Sequence, residues 1–220
     1  MDQPVDRHWS TRLGSVKEAL ETNNFEVFLA ASEEEARRIV LERILPAAGA
    51  RSVARGGSLT VMASGLVDSI LSNPAYEYID VFETRTDPAW REERDERMRH
   101  ALLADVFLSG TNAVTEDGQL VNLDMIGNRV AGIVFGPKTV IILAGRNKIV
   151  ENLEAAIARI KRLAAPANAV RLDKKTPCAQ TSYCEECKSA DRICNVWTIT
   201  EKSFPKGRIK VILINKDLGL

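Results

Sequence analysis

The chain has 220 residues, 45% hydrophobic and 27% charged, ordinary globular values that argue against a disordered or fibrous protein. Its 30 basic and 30 acidic residues cancel, so no net field recruits nucleic acid or an anionic membrane surface. At this length a single core burying about 70% of the unfolded surface is expected.

Met1 to Arg7 carries no basic stretch followed by an apolar run, so no secretory signal is expected and a cytoplasmic location is. Trp9, Leu13, Val16 and Leu20 then recur at helical spacing. Phe25 to Leu29 is a short apolar run. Ser32 and Glu35 form a capping box ahead of Ala36, Ile39, Val40 and Ile44, a second helix that Pro46 and Gly49 stop. A strand Ser52-Val53-Ala54, a Gly56-Gly57-Ser58 turn, a helix through Ala63 to Leu71 and a strand Tyr78 to Phe82 continue the alternation. Pro88 to Leu103 reads as a helix whose run Arg91 to Arg97 mixes both signs at spacings of three and four, the pattern of a solvated, salt-bridged face.

Asp105 to Ser109 and Thr139 to Ala144 are continuous apolar runs bounded by glycines, as in strands buried on both faces of a parallel sheet. No apolar run approaches the roughly 20 residues that span a bilayer, so no transmembrane segment is expected. Glu151 to Leu163 reads as a helix, and composition turns polar and cysteine-rich after Pro166. Val196 to Glu201 and Arg208 to Ile214, joined across Pro205-Lys206-Gly207, read as a final hairpin or strand pair. The predicted class is a three-layer α/β/α fold with a mostly parallel central sheet. Residues 1–35 supply a helical segment and first strand, 36–165 the α/β core, and 166–220 a cysteine-containing segment and last strands on the same core.

Four loci could carry chemistry. In Arg55-Gly56-Gly57-Ser58-Leu59-Thr60, between a strand and a helix, the glycines allow a close ligand and the helix start offers N–H groups to an anion. A tight turn with a hydroxyl helix cap accounts for the same residues. The stretch matches neither the P-loop nor the dinucleotide fingerprint, so no nucleotide cofactor is expected. The segment from Ser109 through Gly110, Thr111 and Asn112 to Asn122, continuing through Gly127, Asn128 and Arg129, begins at the carboxyl end of a buried strand, where open α/β sheets bind ligands. Within it Glu116 and Asp117 could serve as acid or base, and Glu-Asp-Gly equally suits a hairpin turn. Lys148, in Gly145-Arg146-Asn147-Lys148, could neutralise an anion held by the first two loops.

The fourth locus is Cys178-x5-Cys184-x2-Cys187-x6-Cys194. Four thiolates complete a tetrahedral zinc or an iron–sulfur site, and the spacing names neither. Structural cysteines, reduced or disulfide-paired, are the alternative. His8 and His100 lie on amphipathic helices away from the glycine turns and read as surface residues.

Ser109 to Asp124, followed by Gly127 to Ala131 and Val134 to Lys138, resembles the LUD-domain family of lactate-utilisation proteins, YkgG/LutC-like. Lys148-Ile149-Val150, Ala165 to Ala169, Thr176-Pro177-Cys178 and Asp191 to Asn195 extend the likeness, which runs from Ala36 to Leu220. The resemblance implies a fold similar to the NagB/RpiA/CoA-transferase-like superfamily and a place in a multi-protein system that oxidises lactate to pyruvate. Partner proteins there carry iron–sulfur clusters. In the related isomerases an Asn-Gly-Asp-like loop, matching Thr115 to Gly118 and Asn122, sits by the sugar phosphate. Those isomerases also use a catalytic cysteine, and none falls in this chain's expected central sheet.

The expectation is therefore an accessory or substrate-binding component of lactate oxidation that takes a small anionic organic acid or phosphate. Gly56, Gly57, Ser58 and Thr60 would hold the anion, Gly110, Thr111, Asn112, Asn122 and Asn128 would orient the ligand, and Lys148 would balance charge. Cys178, Cys184, Cys187 and Cys194 would hold iron–sulfur or zinc. The alternative is a free-standing enzyme on a sugar phosphate or acyl-CoA using Glu116 or Asp117. Homo-oligomerisation stays open.

Overall fold

The computed structural model describes residues 4–83 and 89–220, without the side chain of Arg91. Its strands are β1 (Glu26–Ala30), β2 (Ser52–Arg55), β3 (Glu77–Ile79), β4 (Val106–Gly110), β5 (Ala113–Thr115), β6 (Leu120–Asp124), β7 (Thr139–Gly145), β8 (Ile149–Val150), β9 (Val196–Thr200) and β10 (Ile209–Ile214). Six form a sheet in the order β1, β10, β7, β4, β2, β3, and every pairing in it is parallel. A smaller sheet runs β8, β5, β6, β9.

Side chains alternate across a strand, so a run apolar at every position needs cover on both faces. Val140, Ile142 and Ala144 of β7 pack with Leu13, Val16 and Leu20 of the helix Pro4–Thr22. Ile141 and Leu143 pack on the other face with Ala36, Ile39 and Leu66. Helices thus cover both faces and give the three-layer α/β/α fold. Each such fully buried aliphatic side chain contributes roughly 1.5–3 kcal/mol. No helix among the described residues is long and apolar enough to cross a membrane.

Ser32 caps the helix as expected, accepting from Glu35 N–H at 3.3 Å, while the Glu35 carboxylate reaches back one residue further than in a capping box, to Ala31 N–H at 2.8 Å. The helix it starts, Glu33–Ile39, runs through a π turn Val40–Ile44 into Leu45–Ala47. The same device corrects the expected end of the later helix. Leu153–Arg159 continues through a π turn Ile160–Ala164 into Ala165–Arg171, past Pro166. A proline lacks one N–H and its ring crowds the carbonyl four residues back; the wide turn just before Pro46 and Pro166 relieves that crowding, so the helix survives.

The last two strands do not form a hairpin. β9 pairs antiparallel with β6 in the small sheet, while β10 lies between β1 and β7 inside the large one. Ile209, Val211, Ile212, Leu213 and Ile214 are all buried, and only a central strand offers cover for both faces. The helix expected over Ala63 to Leu71 is two short ones, Leu59–Ala63 and Leu66–Leu71, separated at Gly65 with φ +67. The charged helix spans Trp90–His100 and carries Arg97–Glu93 and Arg99–Glu96 ion pairs at 2.7 and 2.6 Å. Pro88, and Met1 to Gln3 at the amino end, lie outside the described residues.

Candidate functional site

Because the large sheet is all parallel, the carboxyl ends of its strands share one edge. Arg55 lies beside Leu108, Gly110 beside Leu143, and Gly145 beside Ile214, so the loops that follow these strands open together. The approach is close enough to demand glycine. A Cβ on Gly110 would stand 2.6 Å from Ser58 Oγ, and one on Gly56 would stand 2.5 Å from Arg129 Cγ. Gly56, Ser58 and Gly110 are thus brought together; Asn112 and Asn122 join Gly110 through Arg129, while Lys148 and Thr60 bond to each other.

Arg129, in the helix Asn128–Val134, ties the loops together. Its Nη1 donates to Gly110 O at 3.3 Å and Asn122 Oδ1 at 2.6 Å, and its Nη2 to Asn112 Oδ1 at 3.1 Å and Leu123 O at 2.9 Å. Its Nε faces the buried Asp124 carboxylate at 3.7 Å. Burial lowers the Arg129 pKa and Asp124 opposes that shift. With all its nitrogens engaged, Arg129 is an organiser of the site rather than a free ligand-binding group.

Arg159 and Lys148 differ. Arg159 donates from Nε to Asn147 O at 3.0 Å and from Nη1 to Asn112 O at 2.7 Å, while its buried Nη2 has no partner among the described residues. The buried Asn122 Nδ2 is in the same state. Lys148 is 4% exposed and donates to the Thr60 hydroxyl at 2.9 Å. Burial, then the charges of Arg159 and Arg129, push its pKa down to about 7. Among the described residues the recorded ion pairs give Arg129 an acid but none for Lys148 or Arg159. A buried lysine and a half-buried arginine with donors to spare and no acid of their own favour an anion.

The other expected residues have structural partners. Ser58 caps the helix Leu59–Ala63 by accepting from Val61 N–H at 3.2 Å, and the Gly56 N–H donates to Leu108 O at 2.9 Å. Gly57 is exposed at the rim, facing the Phe82 ring. The Thr111 hydroxyl lies 3.0 Å from Ala113 O and 3.2 Å from Val121 O, holding the hairpin. Asn128 is half-buried at the start of its helix.

Glu116 and Asp117 stand at the tip of the β5–β6 hairpin, the end opposite Asn112 and Asn122. Glu116 pairs with Arg12 of the first helix at 2.5 Å, and Asp117 accepts from the Thr115 hydroxyl. Asn23 Nδ2 donates to Asp117 O at 3.0 Å and to Gly118 O at 3.1 Å, fixing the tip against that helix. The structure does not bring these carboxylates to the basic cluster. Arg146, next to Lys148 in sequence, points away to Asp6 and Asp217 at 2.8 and 3.1 Å.

Arg129 and Arg159 are absent from the residues expected at the site. Arg129 lies within the expected Gly127-Asn128-Arg129 stretch but carries no assigned role there, because a buried arginine reads like a surface one in sequence. Arg159 is in a regular amphipathic helix and carries no local signal at all.

The four cysteines are free thiols. They line one hollow of about 20 Å³ together with Leu123, Lys161, Arg192 and Trp197. Arg192 Nη1 donates to Cys187 O at 2.6 Å and its Nε to Cys194 O at 2.9 Å. Burial raises the Cys194 pKa; Arg192 opposes this, and Cys184 and Cys187 add to it. Among the described residues no group of three or more cysteine, histidine, aspartate or glutamate side chains is arranged to hold a metal ion.

A crystal structure of a DUF162 family protein from Deinococcus radiodurans is similar in fold, with a TM-score of 0.50 and 13% sequence identity over 94% of this chain and 98% of that one. No curated protein matches. The family model described as the LUD domain matches residues 13–214, a span that holds the six-stranded sheet, the basic cluster and all four cysteines. The chain therefore belongs to the LUD-domain family.

Proposed function

We propose that this chain is the substrate-binding or accessory component of a lactate-oxidising system, of the YkgG/LutC-like kind, and that it takes a small organic acid between Lys148, Arg159 and Asn122. Membership of the LUD-domain family suggests a role related to lactate utilisation. The observation that carries the site is the buried Lys148 with the half-buried Arg159, whose Nη2 is a buried donor without a partner among the described residues, as is Asn122 Nδ2. A carboxylate would take the Arg159 and Lys148 donors, and the Asn122 amide would meet a hydroxyl or keto oxygen one carbon away. Thr60 would hold Lys148 in place through its hydroxyl. Gly56 and Gly110 leave room for the Arg129 and Ser58 side chains that pack against them.

The test is thermal shift and calorimetry with lactate, pyruvate, inorganic phosphate, ribose 5-phosphate and CoA at about pH 6, where Lys148 is charged. Lactate or pyruvate is expected to raise the melting temperature, and Lys148→Met and Arg159→Met to remove the shift. A response confined to phosphate compounds would overturn the organic-acid assignment. No response to any of them would overturn the anion site.

A further inference from the structure

We propose that the cradle takes a 2-oxo acid as its reacting ligand, and that the Lys148 amine adds to the ligand's carbonyl carbon to form an imine. The proposal rests on the organic-acid reading of the cradle and goes beyond it, because it makes Lys148 a nucleophile and gives the chain a covalent step of its own.

The backbone around Lys148 is fixed on both sides. Lys148 ends the single helical turn Arg146–Lys148 that follows β7, and the next residue, Ile149, pairs with Val114 of β5. Arg146 N–H donates to Lys216 O at 3.0 Å, and Asn147 Oδ1 accepts from Leu218 N–H at 3.0 Å. The lysine held between these ties is 4% exposed. Its one hydrogen-bond partner among the described residues is the Thr60 hydroxyl. That hydroxyl gives its own proton to Leu218 O at 3.2 Å, so it accepts from the amine and does not donate to it. When the amine is neutral, its lone pair is therefore left open. Gly219 passes beside it, and a Cβ there would stand 3.4 Å from Nζ, so the chain reaches the amine without a side chain to crowd it.

An amine attacks only when unprotonated, and the surroundings favour that form. Burial, then the charges of Arg159 and Arg129, bring the Lys148 pKa to about 7, and no carboxylate acts against them. Arginine keeps its charge throughout, so the lysine is the group that releases a proton, as amine nucleophiles beside another cation do.

The neighbours fit a 2-oxo acid. Arg159 is held through Nε by Asn147 O and through Nη1 by Asn112 O, at 3.0 and 2.7 Å. Its Nη2, without a partner among the described residues, is left for a carboxylate. Asn122 Oδ1 accepts from Arg129 Nη1 and from Asn112 N–H, which fixes the amide and leaves its unpartnered Nδ2 for the ligand's carbonyl oxygen. That oxygen gains negative charge as the amine adds, and a fixed N–H donor stabilises it there. A 2-hydroxy acid offers the same carboxylate and no electrophilic carbon, so it binds without reacting.

The step needs no oxidant. The Nζ lone pair forms the C–N bond while the carbonyl π pair moves to oxygen, which takes the proton that the nitrogen loses. The hydroxyl of that adduct leaves as water with one further proton from solvent, and the nitrogen lone pair closes the C=N bond. Amine, ketone and one proton thus become iminium and water.

The experiment is incubation of the full chain with pyruvate and cyanoborohydride near neutral pH, followed by intact-mass and peptide-mass analysis, with thermal shift in parallel. The expected result is addition of one carboxyethyl group, located on Lys148. Lys148→Met, checked for folding by circular dichroism, should lose it. Arg159→Met should slow it by about tenfold or more at low pyruvate, the effect of losing one charged hydrogen bond. Glu116→Gln, outside the cradle, should be labelled like the parent, and acetone, with a carbonyl and no carboxylate, should label far more slowly than pyruvate. A melting temperature raised by pyruvate without any adduct overturns the imine and leaves the acid cradle standing. Labels spread over other lysines and undiminished in Lys148→Met overturn it as well. Neither a shift nor an adduct overturns both readings.

Discussion

Lys148 Nζ and Thr60 Oγ1 meet at 2.9 Å inside the protein. The Thr60 hydroxyl also reaches Leu218 O at 3.2 Å, so its proton points to that carbonyl and its lone pair to the lysine. Two loops 88 residues apart and the segment after β10 are joined by this one hydroxyl.

The folded-state pKa of Lys148, about 7, lies below its ordinary 10.5. Between those values the unfolded chain binds a proton that the folded chain releases, so this group makes stability rise with pH across that window. Below about 7 both states hold the proton and the full penalty of the buried charge remains. Urea unfolding from pH 7 to 10 should therefore show a rising contribution in the parent that is missing in Lys148→Met. Parallel curves would show that the lysine is not desolvated in solution.

A bound carboxylate reverses this preference, because it favours the charged lysine. Above about pH 7 ligand binding should take up a proton, and affinity should fall by up to about tenfold per pH unit. Calorimetry in buffers of different ionisation enthalpy measures the uptake directly. Release of a proton, or none, would place the ligand elsewhere.

Arg129 and Asp124 are both 10% exposed at their side chains and face each other at 3.7 Å. Replacing the arginine with methionine would strand the carboxylate and four acceptors, at a cost of about 3–5 kcal/mol. Adding Asp124→Asn should recover part of that loss in urea unfolding. If Arg129→Met alone loses less than about 1 kcal/mol, the guanidinium does not organise the loops.

The hairpin tip should behave as structure. Gly118 has φ +86, and a Cβ there would meet Ala19 C at 2.7 Å, so Gly118→Ala should destabilise by about 1–3 kcal/mol. Glu116→Gln breaks only a half-exposed pair with Arg12 and should change stability by under about 1 kcal/mol, leaving the response to lactate or pyruvate intact. A Glu116→Gln protein that folds normally but no longer binds would restore the carboxylate to the site.

Periodicity and local chemistry carried the secondary structure a long way. The spacing of Leu13, Val16 and Leu20 identified a helix, Ser32 and Glu35 its successor's start, and the unbroken apolar runs of β4 and β7 a parallel sheet covered on both faces. The glycines at 56 and 110 marked two of the loops that meet. These features depend on neighbours within a few residues, which is the range over which backbone sterics, caps and side-chain alternation act.

Which strands pair, and which charges are buried, depends on contacts across the whole chain. β9 and β10 are close in sequence yet enter different sheets, because one run is apolar at nearly every position and needs a central place, while the other fits an edge. Arg159 lies 47 residues from the Asn112 carbonyl that fixes it, and nothing in its own helix distinguishes it from a solvated arginine. Burial turns such a residue into a strong local charge by removing the water that would screen it, and only the folded chain determines where that water is excluded.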